Sequence, residues 1–486
     1  MCPHFCTQGG TCSNVRKSGH DFTRDGVSVM AIQNDFSQGS VVKNIMGLAV
    51  PMTLAQLINV LYNVVDRIYI GHIPEHATLS LTGLGVCLPV ITIVIAFANL
   101  FGMGGAPLCS IERGKGNEAE AESIMGNSFT LMILFGILLT VLGLIFERPL
   151  LYLFGASDAT YPYAKSYMTI YLLGSVFVMT GLGMNAFVNS QGFGKVGMMT
   201  VLLGAVTNII LDPIFIFVFN MDVQGAALAT VISQFLSAAW ILKFLTGDKA
   251  ILKLKVSTMR LKKKRVIKIV SMGLSSFTAG FTNSLVAVVC NATLQGWGGD
   301  LYVGVMTVLH SVREIAENIV KGVTNGSQPV MGFNYGAGKY DRVKSCIKFV
   351  SAVAISFTVF AWALVSLFPE FFIRIFNHDE ELIAAAIPAI RIYFFGFFMM
   401  SLQFSGQATF VGLGKAKQAT FFSIFRKLII VVPLTLLLPY VGGLGPMGVF
   451  MAEPVSNFIG GAACYGTMLF TMWPELSGKK KGKRGE

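Results

Sequence analysis

The sequence predicts an all-α polytopic membrane protein, with twelve transmembrane helices in two six-helix bundles that repeat in parallel. Three observations carry this. Of 486 residues, 53% are hydrophobic and only 13% charged, about half the charge of a soluble domain. The apolar residues gather in long segments separated by short polar gaps. The chain also matches itself at an offset of about 220 residues. A disordered chain, a disulfide-rich secreted domain and an ordinary soluble enzyme are excluded.

The apolar segments run over 45–70, 84–108, 124–146, 163–188, 197–219, 224–245, 267–294, 302–331, 345–368, 384–410, 416–440 and 444–472. They are helices 1 to 12 in chain order. Each holds the roughly 20 residues that a helix needs to cross a bilayer. Barrel strands would be about half as long and would alternate in polarity.

The Lys and Arg residues set the orientation. One set of gaps holds Arg113, Lys115, Lys195, the 249–268 stretch, Lys339, Arg342, Lys344, Lys415 and Lys417. The alternate gaps hold little beyond Arg148 and Arg374. Both chain ends fall on the basic side, so both termini are expected in the cytoplasm of a cell-membrane protein. The division expected is a polar tail over 1–43, a bundle over 44–245, a basic linker over 246–266, a bundle over 267–472 and a basic tail over 473–486.

Net charge +12 and the run Arg260-Leu-Lys-Lys-Lys-Arg265 suggest nucleic acid. Cytosolic loops drawn to anionic lipid explain them better, so no nucleic-acid partner is expected. Cys2, His4, Cys6, Cys12 and His20 in the polar start include zinc-ligand types. Their spacing fits no paired-ligand motif, so no metal is expected there. The start reads as a flexible tail, or as sequence ahead of an initiator at Met30, and not as a signal peptide. Cys87, Cys109, Cys290, Cys346 and Cys464 are scattered through or beside helices and read as packing residues.

The internal repeat is carried by small residues and prolines. At an offset of 220, Gly192-Phe-Gly-Lys195 meets Gly412-Leu-Gly-Lys415, and Pro213 meets Pro433. At 222, Gly104 meets Gly326, Pro107 meets Pro329, Gly114 meets Gly336, Gly116 meets Gly338 and Gly174 meets Gly396. A six-span unit is even, so the second copy keeps the topology of the first. Such parallel halves suit a transporter rocking around a central cavity.

Ionisable groups inside spans are costly and mark function by default. Helix 1 carries Gln56, Asn59, Asn63 and Asp66 within one arc. Such a stripe should face a cavity. Helix 5 carries Asn208 and Asp212 at i,i+4, followed by Pro213, which should kink the helix and free a carbonyl. Together they make an oxygen-rich site for a proton or sodium ion. Helix 6 adds Thr230 and Gln234. The plainer alternatives are a boundary salt bridge of Asp66 with Arg67, and a polar contact of Asp212 that steadies the kink.

Helix 8 holds His310, Arg313, Glu314, Glu317 and Lys321, with i,i+4 pairs throughout. Glu314 and Glu317 either line the substrate cavity and attract a cation or belong to a self-neutralised network. Arg426, Lys427 and Glu453 are further partners for such a network. Gln403 and Gln407 in helix 10 can face the cavity. The 39 Phe and 23 Met suit greasy cations through cation–π contacts and adaptable packing. No catalytic constellation and no nucleotide-binding loop appears, so an enzyme is not expected and transport is coupled to an ion or runs downhill.

These motifs resemble the multidrug and toxic compound extrusion (MATE) family over about residues 43–473. The carriers are Pro51, Leu61-Tyr-Asn-Val-Val-Asp66, Gly102-Met-Gly-Gly-Ala-Pro107, Gly114-Lys-Gly116, Gln191-Gly-Phe-Gly-Lys195, Asn208-Ile-Ile-Leu-Asp-Pro213, Gly225-Ala-Ala-Leu-Ala229 and Pro329-Val-Met-Gly-Phe-Asn-Tyr-Gly-Ala-Gly338. The resemblance implies two bundles in a V and export of cationic or amphipathic compounds by antiport with H+ or Na+. It implies an ion-coupling site of Asp66, Asn208 and Asp212, joined by Thr230 and by Asn185. No cofactor beyond the coupling ion is implied, and a monomer is expected. Lipid-linked sugar flippases of the same superfamily are the alternative.

Overall fold

The computed structural model describes residues 35–73, 77–376 and 378–478. The Cys- and His-bearing start and the tail from residue 479 lie outside the described residues. Hydrocarbon offers the backbone no hydrogen-bond partner, so each span closes its own bonds as a helix.

Helices 1 to 3 run over Val41–Ile70, Ala77–Gly114 and Glu118–Ile145. Helix 4 is two pieces, Tyr161–Leu173 and Ser175–Ser190, bent by 55°. Helix 5, Gly194–Pro213, opens at its proline into π-helical turns over Ile214–Val218. Helix 6 is Asp222–Thr246. A single run over Lys263–Gly336 contains helices 7 and 8, divided at Gly299, whose φ of 64° and ψ of −162° no helix adopts. Helix 9 is Tyr340–Leu367. Helix 10 bends by 45° between Glu380–Phe394 and Phe397–Gly412. Helix 11 is Ala416–Ile424 followed by π-helical Phe425–Val431 and a last α-helical turn, Val432–Leu437. Helix 12 is Pro446–Leu476.

By length and hydropathy alone, eight of these runs cross a membrane, or ten with each bent pair taken as one span. The division at Gly299 makes one of those runs into two. Helix 12, broken in polarity by Glu453, Ser456 and Asn457, is the twelfth.

The halves repeat in their irregularities as well as in sequence. The bend of helix 4 follows Gly174, and the bend of helix 10 falls at its repeat mate Gly396. Gly116 and Gly338 both take a positive φ, 77° and 70°, in equivalent turns, a region closed to most side chains. The helix 4–5 and 10–11 corners are equivalent at 222, since helix 5 begins at Gly194 and helix 11 at Ala416. The match of Gly192 with Gly412 at 220 is therefore out of register by two residues.

Repeat glycines join the two bundles at the basic face. A Cβ on Gly104 would overlap the Ile269 carbonyl of helix 7, and one on Gly273 would overlap the Leu100 carbonyl of helix 2. Gly322 and Gly326 of helix 8 meet Thr53 and Ala49 of helix 1 in the same way. Gly114 meets Phe333 while Gly336 meets Ile111, a reciprocal exchange. Ile315 lies seven residues above Gly322 on the same face of helix 8 and is 44% exposed. At that height helix 1 no longer covers helix 8.

The chain ahead of helix 1 reinforces this closure. Arg342 donates to the carbonyls of Phe36 (3.1 Å), Gln38 (3.2 Å) and Gly39 (2.9 Å). Phe36 is buried against Phe333 with Arg113 over both rings. The Ser37 hydroxyl bonds to Asp35 and holds that carboxyl below its usual range.

Between the bundles, residues 247–262 lie along helix 3. Asn127 donates to the carbonyls of Thr258 and Arg260, and Lys255 pairs with Glu122 at 2.7 Å. Arg265, at the start of helix 7, pairs with Glu120. Several cations of this stretch are thus committed to protein partners. Cys87, Cys109, Cys290, Cys346 and Cys464 are buried free thiols.

Gly273→Val should push helices 2 and 7 apart and cost about 1–3 kcal/mol, the range for overpacking a tight contact. The check is a lower thermal unfolding midpoint of the detergent-solubilised protein relative to Gly280→Val, whose site is open.

Candidate functional site

Two buried polar centres and one cavity stand out. In the first bundle, helices 1, 5 and 6 bring Asp66, Asn208, Asp212 and Thr230 together. Asn208 Nδ2 donates to Asp212 Oδ1 at 3.1 Å and to Thr230 Oγ1 at 3.4 Å. Asp66 reaches Asp212 side chain to side chain. Both carboxylates are buried, and Asp66 Oδ1, Asp212 Oδ2 and Asn208 Oδ1 have no hydrogen-bond partner among the described residues. Two adjacent carboxylates with open acceptors repel one another unless a cation or a shared proton sits between them. Arg67, next in sequence to Asp66, is exposed.

Three tyrosines complete this centre, and the sequence pattern did not single them out. Tyr62 lies beside both acids, and Tyr167 faces Asp66 and Thr230. Tyr171 stacks on Tyr167 at 6.2 Å. The i,i+4 spacing of Tyr167 and Tyr171, which puts both on one face of helix 4, was the available signal. Asn185 does not join the site. Its amide donates to the Gly197 carbonyl at 3.2 Å at the helix 4–5 corner, and its place near the basic end of helix 4 explains why.

A cavity of about 500 Å³ lies between the bundles. Gln56, Asn59, Asn185, Asn208, Thr230 and Gln234 line it from the first bundle, and Lys321, Phe404 and Gln407 from the second. Asp66 and Asp212 sit behind this lining. Several residues expected in the cavity lie elsewhere. Asn63 is exposed, its amide folded back onto the Asn59 carbonyl at 2.7 Å. Glu314 is also exposed, although it lies only about 60° round helix 8 from Glu317. Gln403 is buried between helices, donating to the Phe422 carbonyl at 3.3 Å.

Glu317 belongs to the second centre. Arg313 Nε holds its Oε1 at 2.5 Å, and Lys321 holds Oε2 at 3.0 Å. Arg313 also pairs with Glu453 and donates to the Tyr393 hydroxyl at 3.0 Å. Arg426 and Lys427 reach the same Glu453 oxygen at 2.8 and 3.2 Å, and Arg426 donates to Asn457 Oδ1 at 2.6 Å. The network holds four formal cations against two carboxylates. Arg426 and Lys427 sit on the π-helical turns of helix 11, where the extra residue per turn brings neighbouring side chains toward one interior.

Two helical bundles closed at one face around a polar cavity, with acids buried behind its wall, have the form of a membrane transporter. The MatE family model matches residues 51–214 and 276–437, one copy per half, and the chain belongs to that family. A relative from Staphylococcus saprophyticus named "Multidrug export protein MepA" is 24% identical over 398 residues, covering 82% of this chain and 87% of its own. The protein of that name from Staphylococcus haemolyticus is 24% identical, covering 87% and 93%. A solved structure described as the outward-facing conformation of a multidrug resistance MATE family transporter superimposes with a TM-score of 0.85 at 21% identity, covering 93% of this chain and 99% of that one.

Removing one partner from a buried ion pair strands the others in a low-dielectric interior. Glu453→Gln, which leaves Arg313, Arg426 and Lys427 clustered, should cost about 3 kcal/mol. Thermal unfolding in detergent should show a lower midpoint. An unchanged midpoint would show that the cluster carries no structural load.

Proposed function

We propose that this chain is a secondary active antiporter that exports amphipathic, drug-like compounds across the cell membrane in exchange for H+ or Na+. It works by alternating access as a monomer with cytoplasmic termini. The observation that carries the reading is the pair Asp66–Asp212, buried together with open acceptor oxygens and adjoining Asn208 and Thr230. Occupied by a proton or sodium ion, the pair is neutralised. Empty, its like charges repel and the surrounding helices lose an internal tie. That difference couples the ion to the arrangement of the bundle. The names of the Staphylococcus relatives support multidrug compounds as cargo. A lining of amides, hydroxyls, methionines and phenylalanine suits molecules part greasy and part polar. Glu314 and Glu317, the residues expected to attract a cation, do not line this cavity.

Asp66→Asn and Asp212→Asn each relieve the repulsion and keep a hydrogen-bonding side chain, so folding should survive. Each should abolish export driven by a gradient. The assay is uptake of a fluorescent dye into proteoliposomes under an imposed pH gradient and, separately, a sodium gradient. Full transport by both variants would sink the coupling site, and wild-type transport driven by neither gradient would sink the antiport.

A further inference from the structure

The cavity wall is electrically one-sided. Among the described residues lining it, Lys321 is the one that carries a charge. Its side chain is 37% exposed, and its ammonium is the open end of the buried network of the second bundle. That network is oversubscribed. Glu317 is already held by Arg313, and a single Glu453 oxygen serves Arg313, Arg426 and Lys427. With four formal cations on two carboxylates, Lys321 is the most exposed member of the network, and it lines the cavity. Across the cavity, Asn208 and Thr230 line the wall, and the buried Asp66 and Asp212 do not.

Around Lys321 the wall has a polar patch and a greasy one. Thr324, Asn325 and Gln328 follow on the same helix within two turns and line the same space, and Gln328 donates to Asn325 at 3.1 Å. Met52, Met103 and Phe404 supply apolar surface. A half-exposed cation beside amides on a cavity wall binds an oxyanion by charge-assisted hydrogen bonds. A lone organic cation would meet like charge and no counter-ion.

Building on the exporter reading, we propose that Lys321 selects substrates bearing an acidic group: amphipathic compounds with one carboxylate or sulfonate, anchored on Lys321, their apolar body against Met52, Met103 and Phe404. The acidic group comes from a soluble compound and not from a bilayer headgroup.

The test uses the full chain in nanodiscs and two xanthene dyes that differ only in a free carboxylate or its ethyl ester. Fluorescence polarisation should show the acid binding about tenfold more tightly than the ester, the factor of one charge-assisted hydrogen bond. Lys321→Gln should remove that preference by weakening the acid alone, and Lys321→Arg should restore it. Equal or tighter binding of the ester by the wild type overturns the proposal. So does an equal loss for both dyes in Lys321→Gln, or no saturable binding of the acid. The acid should bind equally in phosphatidylcholine and in anionic-lipid nanodiscs. Its loss in anionic lipid assigns the site to a headgroup and overturns the soluble-substrate reading. Gradient-driven movement of the ester in proteoliposomes reports separately on export, so failure of that reading is distinguishable from failure at Lys321.

Discussion

The hydrocarbon interior supplies no hydrogen bonds, and the rest of this structure depends on that constraint. Polar atoms inside it must find partners within the chain or remain costly. The backbone answers by forming helices. The bundles answer by bringing glycine backbones together at Gly104, Gly273, Gly322 and Gly336, where close approach replaces side-chain packing. The charged side chains answer by clustering, and the second bundle does so almost completely. Glu453 collects Arg313, Arg426 and Lys427 on one carboxylate oxygen. The first bundle leaves its acid oxygens open. Filled groups specify a rigid arrangement, whereas open ones invite an ion. The same constraint therefore leaves one charge cluster closed and the other with open acceptors.

The two bundles are built on one plan and carry opposite polarity. Helices 5 and 11 are repeat mates, and each widens into π-helical turns beside its proline, Pro213 or Pro433. Helix 5 carries Asn208 and Asp212 ahead of its π turns, and helix 11 carries Arg426 and Lys427 within its own. The two π segments fall at different registers of the repeat, since 214–218 matches 436–440 at an offset of 222, and the side chains differ in sign. The cavity between them has its acids withdrawn on one side and a lysine advanced on the other. That asymmetry bears more directly on cargo than does the net charge of the chain, much of which lies in loops. There Lys255, Arg265 and Lys415 pair with Glu122, Glu120 and Glu475.

Much of the fold was legible in the sequence because helix length, apolar runs and small-residue repeats are local signals. The acid site was legible for the same reason: i,i+4 spacing placed Asn208 beside Asp212, and one helical arc placed Asp66 toward a neighbour. The pattern could not resolve which neighbour each face meets. Glu314 and Glu317 differ by three residues, yet one is exposed and the other is enclosed by Arg313 and Lys321. Asn63 shares the arc of Gln56 and Asn59 but folds back on its own helix. Asn185 followed family resemblance and stands too near the basic end of helix 4. Lys321 read as one more member of a charge ladder, because its access to the cavity is a tertiary fact. The offset of 220 at Gly192 was a chance match of a Gly-x-Gly-Lys string, and only the helix starts reveal the two-residue slip.

Helix 1 ties these elements together. Its basic-face half meets helix 8 through Ala49 and Thr53, and its other half carries Tyr62 and Asp66 to the acid site. In the proposed cycle an ion that binds at Asp66 acts on the same rigid element that seals the bundles to one another. The seal is made of backbone contacts at glycines, which have little tolerance for partial separation, because a packed interface either fits or parts. An element held at one end by such a contact and at the other by an ion-dependent tie has two arrangements rather than a continuum. The proposed alternating access requires that property, and the small residues and the acid that would supply it lie along a single helix.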